Sequence, residues 1–200
     1  MKQIAADPYP WPFDGAFSRE NTAFLILGYQ QRAVDELAAH PALATTTELL
    51  ERWRDAGGRT FFSRRGVETL SSARRWRNER RQIDRILRRG APGWALAVEP
   101  RDNEPVVDHV GDSAFYASDL DHLLRRANAK NLIMAGLPTD GIVHATMREA
   151  NDRGYECLLV ADACTAHDQA IHQGILKITV FGNGLFGTVA PASVVFEALA

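Results

Sequence analysis

The chain opens on polar, proline-rich sequence and turns abruptly apolar at Ala23-Phe24-Leu25-Ile26-Leu27. An apolar run of that length without polar alternation suits a strand buried on both faces. Helical spacing over Thr47 to Ala56 ends at Gly57-Gly58, a helix stop. Thr60-Phe61-Phe62-Ser63 predicts a second strand, and Arg65 to Gly93 is a long polar insertion with partly helical spacing. Pro105 to His109 predicts a third strand, and Ser118 to Ala127 a helix capped by Ser118.

Asn131 to Gly136 is a fourth apolar strand. Thr139 to Arg153 predicts a helix with Ile142, Val143, Met147 and Ala150 on one face and Gly154 at its stop. Glu156 to Ala161 predicts a fifth strand, Asp168 to Thr179 a helix, Leu185 to Val189 a sixth strand and Ala192 to Leu199 a last helix. Buried strands alternating with helices predict an α/β fold: three layers, a six-stranded parallel sheet with helices on both faces. Residues 1–200 read as one domain, with no repeat or low-complexity tract. Residues 1–20, with Pro8-Tyr9-Pro10-Trp11-Pro12-Phe13, form an extended proline-aromatic arm. Its rings need a surface, either on their own domain or on a neighbouring subunit.

Composition changes this picture little. The 200 residues are 46% hydrophobic and 24% charged, with a net charge of −2. A chain of that length buries roughly 70% of its unfolded surface. The charge balance gives no reason to expect a nucleic-acid or membrane partner. The basic stretch from Arg74 to Arg89, with Trp76, could meet an anion or RNA, but interleaved Glu79 and Asp84 fit a solvated helix face. Cys157 and Cys164, on one strand, lie too far apart to pair, which fits a reducing cytoplasm. Spacings such as CxxC or HExxH are absent, so neither a metal nor another cofactor is expected. No apolar run approaches membrane-spanning length.

In doubly wound sheets ligands bind beyond the C-terminal strand ends. Gly28, His109 and the stretch from Gly136 to Ile142 occupy those ends. Thr22 to Gln30 resembles the first-strand motif of the isochorismatase-like cysteine hydrolases, which typically ends Asp-Met-Gln. Gly136-Leu137-Pro138-Thr139-Asp140-Gly141-Ile142-Val143 resembles that family's Gly-x-x-Thr-Asp-x-Cys-Val turn, and Pro105 to Leu120 the segment carrying its Lys. Met147 to Leu158, the aromatic arm and Arg85 to Trp94 are most similar to the biuret hydrolase and ureidoacrylate amidohydrolase branch.

The resemblance implies a homodimer or homotetramer, or assembly with an intact paralogue, and a small-molecule ligand. It also implies a mechanism. A helix-terminal thiolate, favoured by the dipole and a Lys, attacks an amide or ureide carbonyl after an Asp takes its proton. Backbone N–H groups hold the oxyanion. At the matching positions this chain carries Gly28, His109 and Ile142, so base, cation and nucleophile are all replaced. Losing a nucleophile alone removes roughly six orders of magnitude in comparable enzymes. The expectation is a pseudoenzyme that binds a ligand or serves as a subunit. The alternative is a remodelled hydrolase of C–N bonds, with His109 activating water and Asp112 orienting it.

The turn's anion-binding scaffold persists in Pro138, Thr139, Gly141 and Ile142, with a cis peptide implied there and Thr139 or Asp140 able to cap the helix. His109 could equally be a strand-end histidine bonded to neighbouring backbone or to Asp112. Asp108 should face away by strand alternation. Cys164 is either a relocated nucleophile or a buried small residue. His144 should point away from the site.

Overall fold

A computed structural model describes residues 3–67 and 88–199. The strands are β1 (Thr22–Leu27), β2 (Arg59–Arg65), β3 (Val106–His109), β4 (Asn131–Gly136), β5 (Glu156–Cys164) and β6 (Thr188–Ala190). They form one parallel sheet in the order β3-β2-β1-β4-β5-β6. The chain winds outward in one direction from β1 and in the other from β4, so the switch in strand order lies between these two. Both central strands are buried at every residue, as their unbroken apolar sequence requires.

Helices α1 (Gln31–Glu36), α2 (His40–Asp55), α3 (Leu120–Arg126), α4 (His144–Asp152), α5 (Gln169–Gly184) and α6 (Ala192–Leu199) complete the fold. On one face Leu49, Leu50 and Trp53 of α2 and Val195 of α6 pack on Phe24, Ile26 and Ile133. On the other, Leu120 and Leu124 of α3 and Met147 and Ala150 of α4 pack on Leu25, Leu27 and Met134. This is the three-layer arrangement that the strand–helix alternation predicts.

The aromatic arm lies on its own domain. Ile4 and Trp11 exchange backbone hydrogen bonds, and Asp7 exchanges two with Val189, so the arm extends the sheet beyond β6. Trp11 is fully buried, and the rings of Trp11, Phe17 and Trp53 follow one another at 6.1 Å spacings.

Several boundaries differ from the sequence reading. Helix α2 begins at His40, not Thr47, because Pro41 suits the first helical turn. Helix α3 starts at Leu120, with Asp119 rather than Ser118 at its cap position; Ser118 Oγ accepts from Leu120 N in a local turn. Strand β5 runs on to Cys164, across a register shift against β4 between Met134 and Gly136. Helix α5 runs past Thr179 and breaks at Phe181–Asn183, where the backbone leaves helical geometry, and β6 is only Thr188–Ala190. Most of the basic stretch, up to residue 87, and most of the polar insertion fall outside the described residues. Among the described residues no helix is long and apolar enough to cross a membrane.

Candidate functional site

The C-terminal ends of β1, β3 and β4 bring the three replaced positions to the same end of the sheet. Gly28 follows β1 with φ +63°, a backbone state that favours glycine. Its N–H donates to Ser63 O, so the conformation is held by β2. A Cβ built on Gly28 would lie 2.5 Å from the Leu137 carbonyl oxygen and 2.6 Å from Ile142 Cδ1. Ile142 is only 4% exposed, and it belongs to the apolar cluster of Leu27, Met134, Val143 and Cys164. An isoleucine side chain therefore fills the space in which a side chain at position 28 would begin.

The turn between β4 and α4 is a single π-helical turn, Thr139–Val143, broken at Gly141 (φ −110°, ψ −106°). The Leu137–Pro138 peptide is cis. Two of the turn's donors are used internally: Gly141 N and Val143 N both donate to Pro138 O. Neither Thr139 nor Asp140 caps the helix. Thr139 is fully buried; its N–H donates to Thr165 O and its hydroxyl bonds His172 Nδ1 at 2.8 Å.

His109 ends β3 and is 2% exposed. Its Nδ1 lies 3.0 Å from Gly111 O. A carbonyl only accepts, so Nδ1 carries the proton and Nε2 the lone pair. Nε2 is buried and has no hydrogen-bond partner among the described residues. Burial pushes the imidazole pKa down to about 4, the Gly111 bond opposing it, so the ring is neutral at pH 7. Asp112 does not orient His109. Its carboxylate pairs with Arg65 at 2.9 Å, and the Gly111 carbonyl holds the ring instead. Asp108 is also taken, by Arg64 and Arg89.

Cys164 is buried, and burial pushes its thiol up to about 12, the reverse of what a nucleophile needs. Cys157 is likewise buried, with its thiol raised. His144 lies half-buried with its ring edge-on to Phe186 at 5.7 Å.

A cleft of about 410 Å³ opens beside the turn, between the α1–α2 corner, the end of β5 and the start of α5. Asp162, Thr165, Gln169, His172 and Gln173 give it polar walls, and Pro41, Cys164 and Leu176 less polar ones. Sequence reasoning assigned no role to Thr165, Gln169, His172 or Gln173. The available signal was their position just past a strand end and in the first turns of a helix. Among the described residues no cluster of His, Cys, Asp and Glu is placed to hold a metal ion.

Comparison with known proteins agrees with this fold. The isochorismatase domain model matches residues 22–190. A ureidoacrylate amidohydrolase of Stutzerimonas stutzeri is 26% identical, over 80% of this chain and 75% of its own. One from Methylorubrum extorquens is 31% identical, over 46% of this chain and 39% of its own. The chain spans about half, or less, of the length of the first curated relatives it matches. The crystal structure of a cysteine hydrolase from Pseudomonas syringae superposes with a TM-score of 0.84 at 22% identity, covering 100% of this chain and 97% of that one.

Proposed function

Because the chain belongs to the isochorismatase family, we propose that it is a hydrolase-like member that has lost hydrolysis and acts by binding a small molecule or as a subunit. One observation carries this reading: Ile142 Cδ1 occupies the space above Gly28, where the family resemblance puts the nucleophile and the base. Neither residue can exchange a proton or attack a carbonyl, and their packing leaves no gap for a reacting group between them. The third position supports it. A neutral His109 inside the core supplies none of the positive charge that favours a thiolate.

The cleft beside the turn is the place for a ligand. Thr165, Gln169 and Gln173 offer both donors and acceptors, as an amide or ureide does, and the Asp162 carboxylate in the same lining disfavours an anionic ligand. The test is ammonia release from a panel of ureides and primary amides by the purified protein. Sustained turnover would overturn the reading.

A second reading is favoured by one atom, His109 Nε2. A remodelled enzyme would use this unshared lone pair to take a proton from water, as a weak base, since burial holds the ring near pKa 4. Under that reading His109→Ala abolishes activity; under the first there is none to abolish.

A further inference from the structure

A cavity of about 570 Å³ lies at the opposite end of the sheet from the replaced triad. Its walls come from the end of α2, the start of β2, the residues before β3 and the end of α3. Small-molecule sites span about 300–1,000 Å³. Four arginines line the cavity against a single acid, Glu104. Arg54 and Glu104 offset each other in a two-pronged pair on the inner wall, both nearly buried. Arg101 shares Glu51 with Arg54, at 3.3 Å and half exposed, where an ion pair is weak. Neither Arg59 nor Arg126 has an ion pair among the described residues. Arg59 Nη1 donates to Ala127 O, which ties that guanidinium to the end of α3. The C-termini of α2 and α3 add only about half a negative charge each. Their carbonyls are also taken, Arg54 O by Gly57 N and Leu123 O by Ala127 N.

The floor is an unfinished sheet edge. Phe62 N donates to Pro105 O and Gly66 N to His109 O, so even-numbered residues of β2 turn their backbone groups toward β3. Strand β3 begins opposite Phe62, at Val106, so Thr60 faces the cavity instead. Pro105 has no N–H to offer the Thr60 carbonyl. The chain before it turns away, Glu104 N donating to Arg101 O. Thr60 N–H and C=O thus have no partner across that edge among the described residues. The Thr60 hydroxyl is buried and likewise without a partner among them. Buried polar groups are nearly always paired, so one lining residue with three open groups marks the place of a missing polar partner. Phe61, Pro105 and Leu123 add apolar surface beside it.

We propose that this cavity binds a phosphate monoester carried on a flat polar ring, the chemistry of a nucleoside monophosphate. Arg59, Arg101 and Arg126 take the phosphate, because a planar guanidinium offers paired N–H donors to its oxygens. The ring lies against Phe61, Pro105 and Leu123 and exchanges hydrogen bonds with the Thr60 backbone, as a neighbouring strand would. Neither the replaced triad nor the cleft beside the turn takes part, so this site stands or falls apart from the proposed function.

The test is isothermal titration of the full chain with AMP, UMP, adenosine, uridine and inorganic phosphate, with the backbone amides followed by NMR. At least one nucleotide is expected to bind with a Kd below about 1 mM, and its nucleoside and inorganic phosphate about tenfold more weakly or worse. The Thr60 amide shifts on binding. Arg101→Ala combined with Arg126→Ala weakens nucleotide binding about tenfold or more. Both side chains are exposed, so the fold stands, which circular dichroism checks. Arg126→Lys keeps the charge but loses the fork, and alone it weakens binding less than the double variant. Four results would each overturn the proposal: no binding of either nucleotide, equal binding of the nucleoside or of inorganic phosphate, binding that the double variant leaves unchanged, or amide shifts that miss Thr60.

Discussion

Ile142 Cδ1 lies 2.6 Å from the point at which a Cβ on Gly28 would stand. The two residues reach this contact from different elements, one ending β1 and the other in the turn after β4. Glycine at one and isoleucine at the other form a matched pair: the missing side chain makes room for the large one. Restoring either family residue singly therefore meets a structure built around the other.

The contact is tested by a double-mutant cycle in denaturant unfolding. Gly28→Asp alone adds a side chain at φ +63° against Ile142 Cδ1 and the Leu137 carbonyl, and is expected to cost about 3 kcal/mol or more. Ile142→Cys alone leaves a small cavity costing about 2 kcal/mol. Combined, they cost less than their sum by about 1 kcal/mol or more, because the smaller residue yields the space. The Leu137 carbonyl stays in place, so recovery is partial. Strict additivity would contradict the packing.

His109 makes stability depend on pH. Its folded pKa, about 4, lies below the ordinary 6.5, so the unfolded chain binds the proton more readily. The stability tied to the neutral ring is whole above about pH 6.5 and is lost as pH falls toward 4. Linkage puts the loss at about 2 kcal/mol between pH 7 and pH 5. His144 and His172, also lowered by burial, add to it. Urea midpoints for wild type and His109→Gln at both pH values check this: the variant should lose about 2 kcal/mol less on acidification. Equal losses would mean that the ring is not buried in its neutral form.

The cysteines should be silent. Cys157 and Cys164 are buried with raised thiol pKa values, so a thiol-specific reagent at pH 8 should label neither in the folded protein. Both should react together on unfolding in urea. Fast labelling of one site, mapped by mass spectrometry, would reopen Cys164 as a nucleophile.

The fold was largely legible because its signals are local. Asn131 to Gly136 is apolar at nearly every position and becomes a strand buried at every position. The misplaced boundaries came from local signals that tertiary structure overrides. Leu185 to Val189 reads as strand, yet Leu185 closes α5 and only Thr188–Ala190 pairs with β5. The site was legible as a set of positions and not as a contact. Resemblance marks Gly28, His109 and Ile142, but no periodicity says that Ile142 fills the space over Gly28. The sequence left open whether His109 bonds neighbouring backbone or Asp112; the structure gives the backbone, at the Gly111 carbonyl. Such facts depend on how strand ends and loops converge.

The most direct measurement places the protein in stoichiometric excess over ureidoacrylate or biuret and follows ammonia for hours. The Stutzerimonas stutzeri relative serves as the positive control. The account predicts release no faster than in buffer, while the relative turns over ureidoacrylate. Even one equivalent of ammonia, released with a rate constant above background, would mean that a catalytic group works where this account finds only packing.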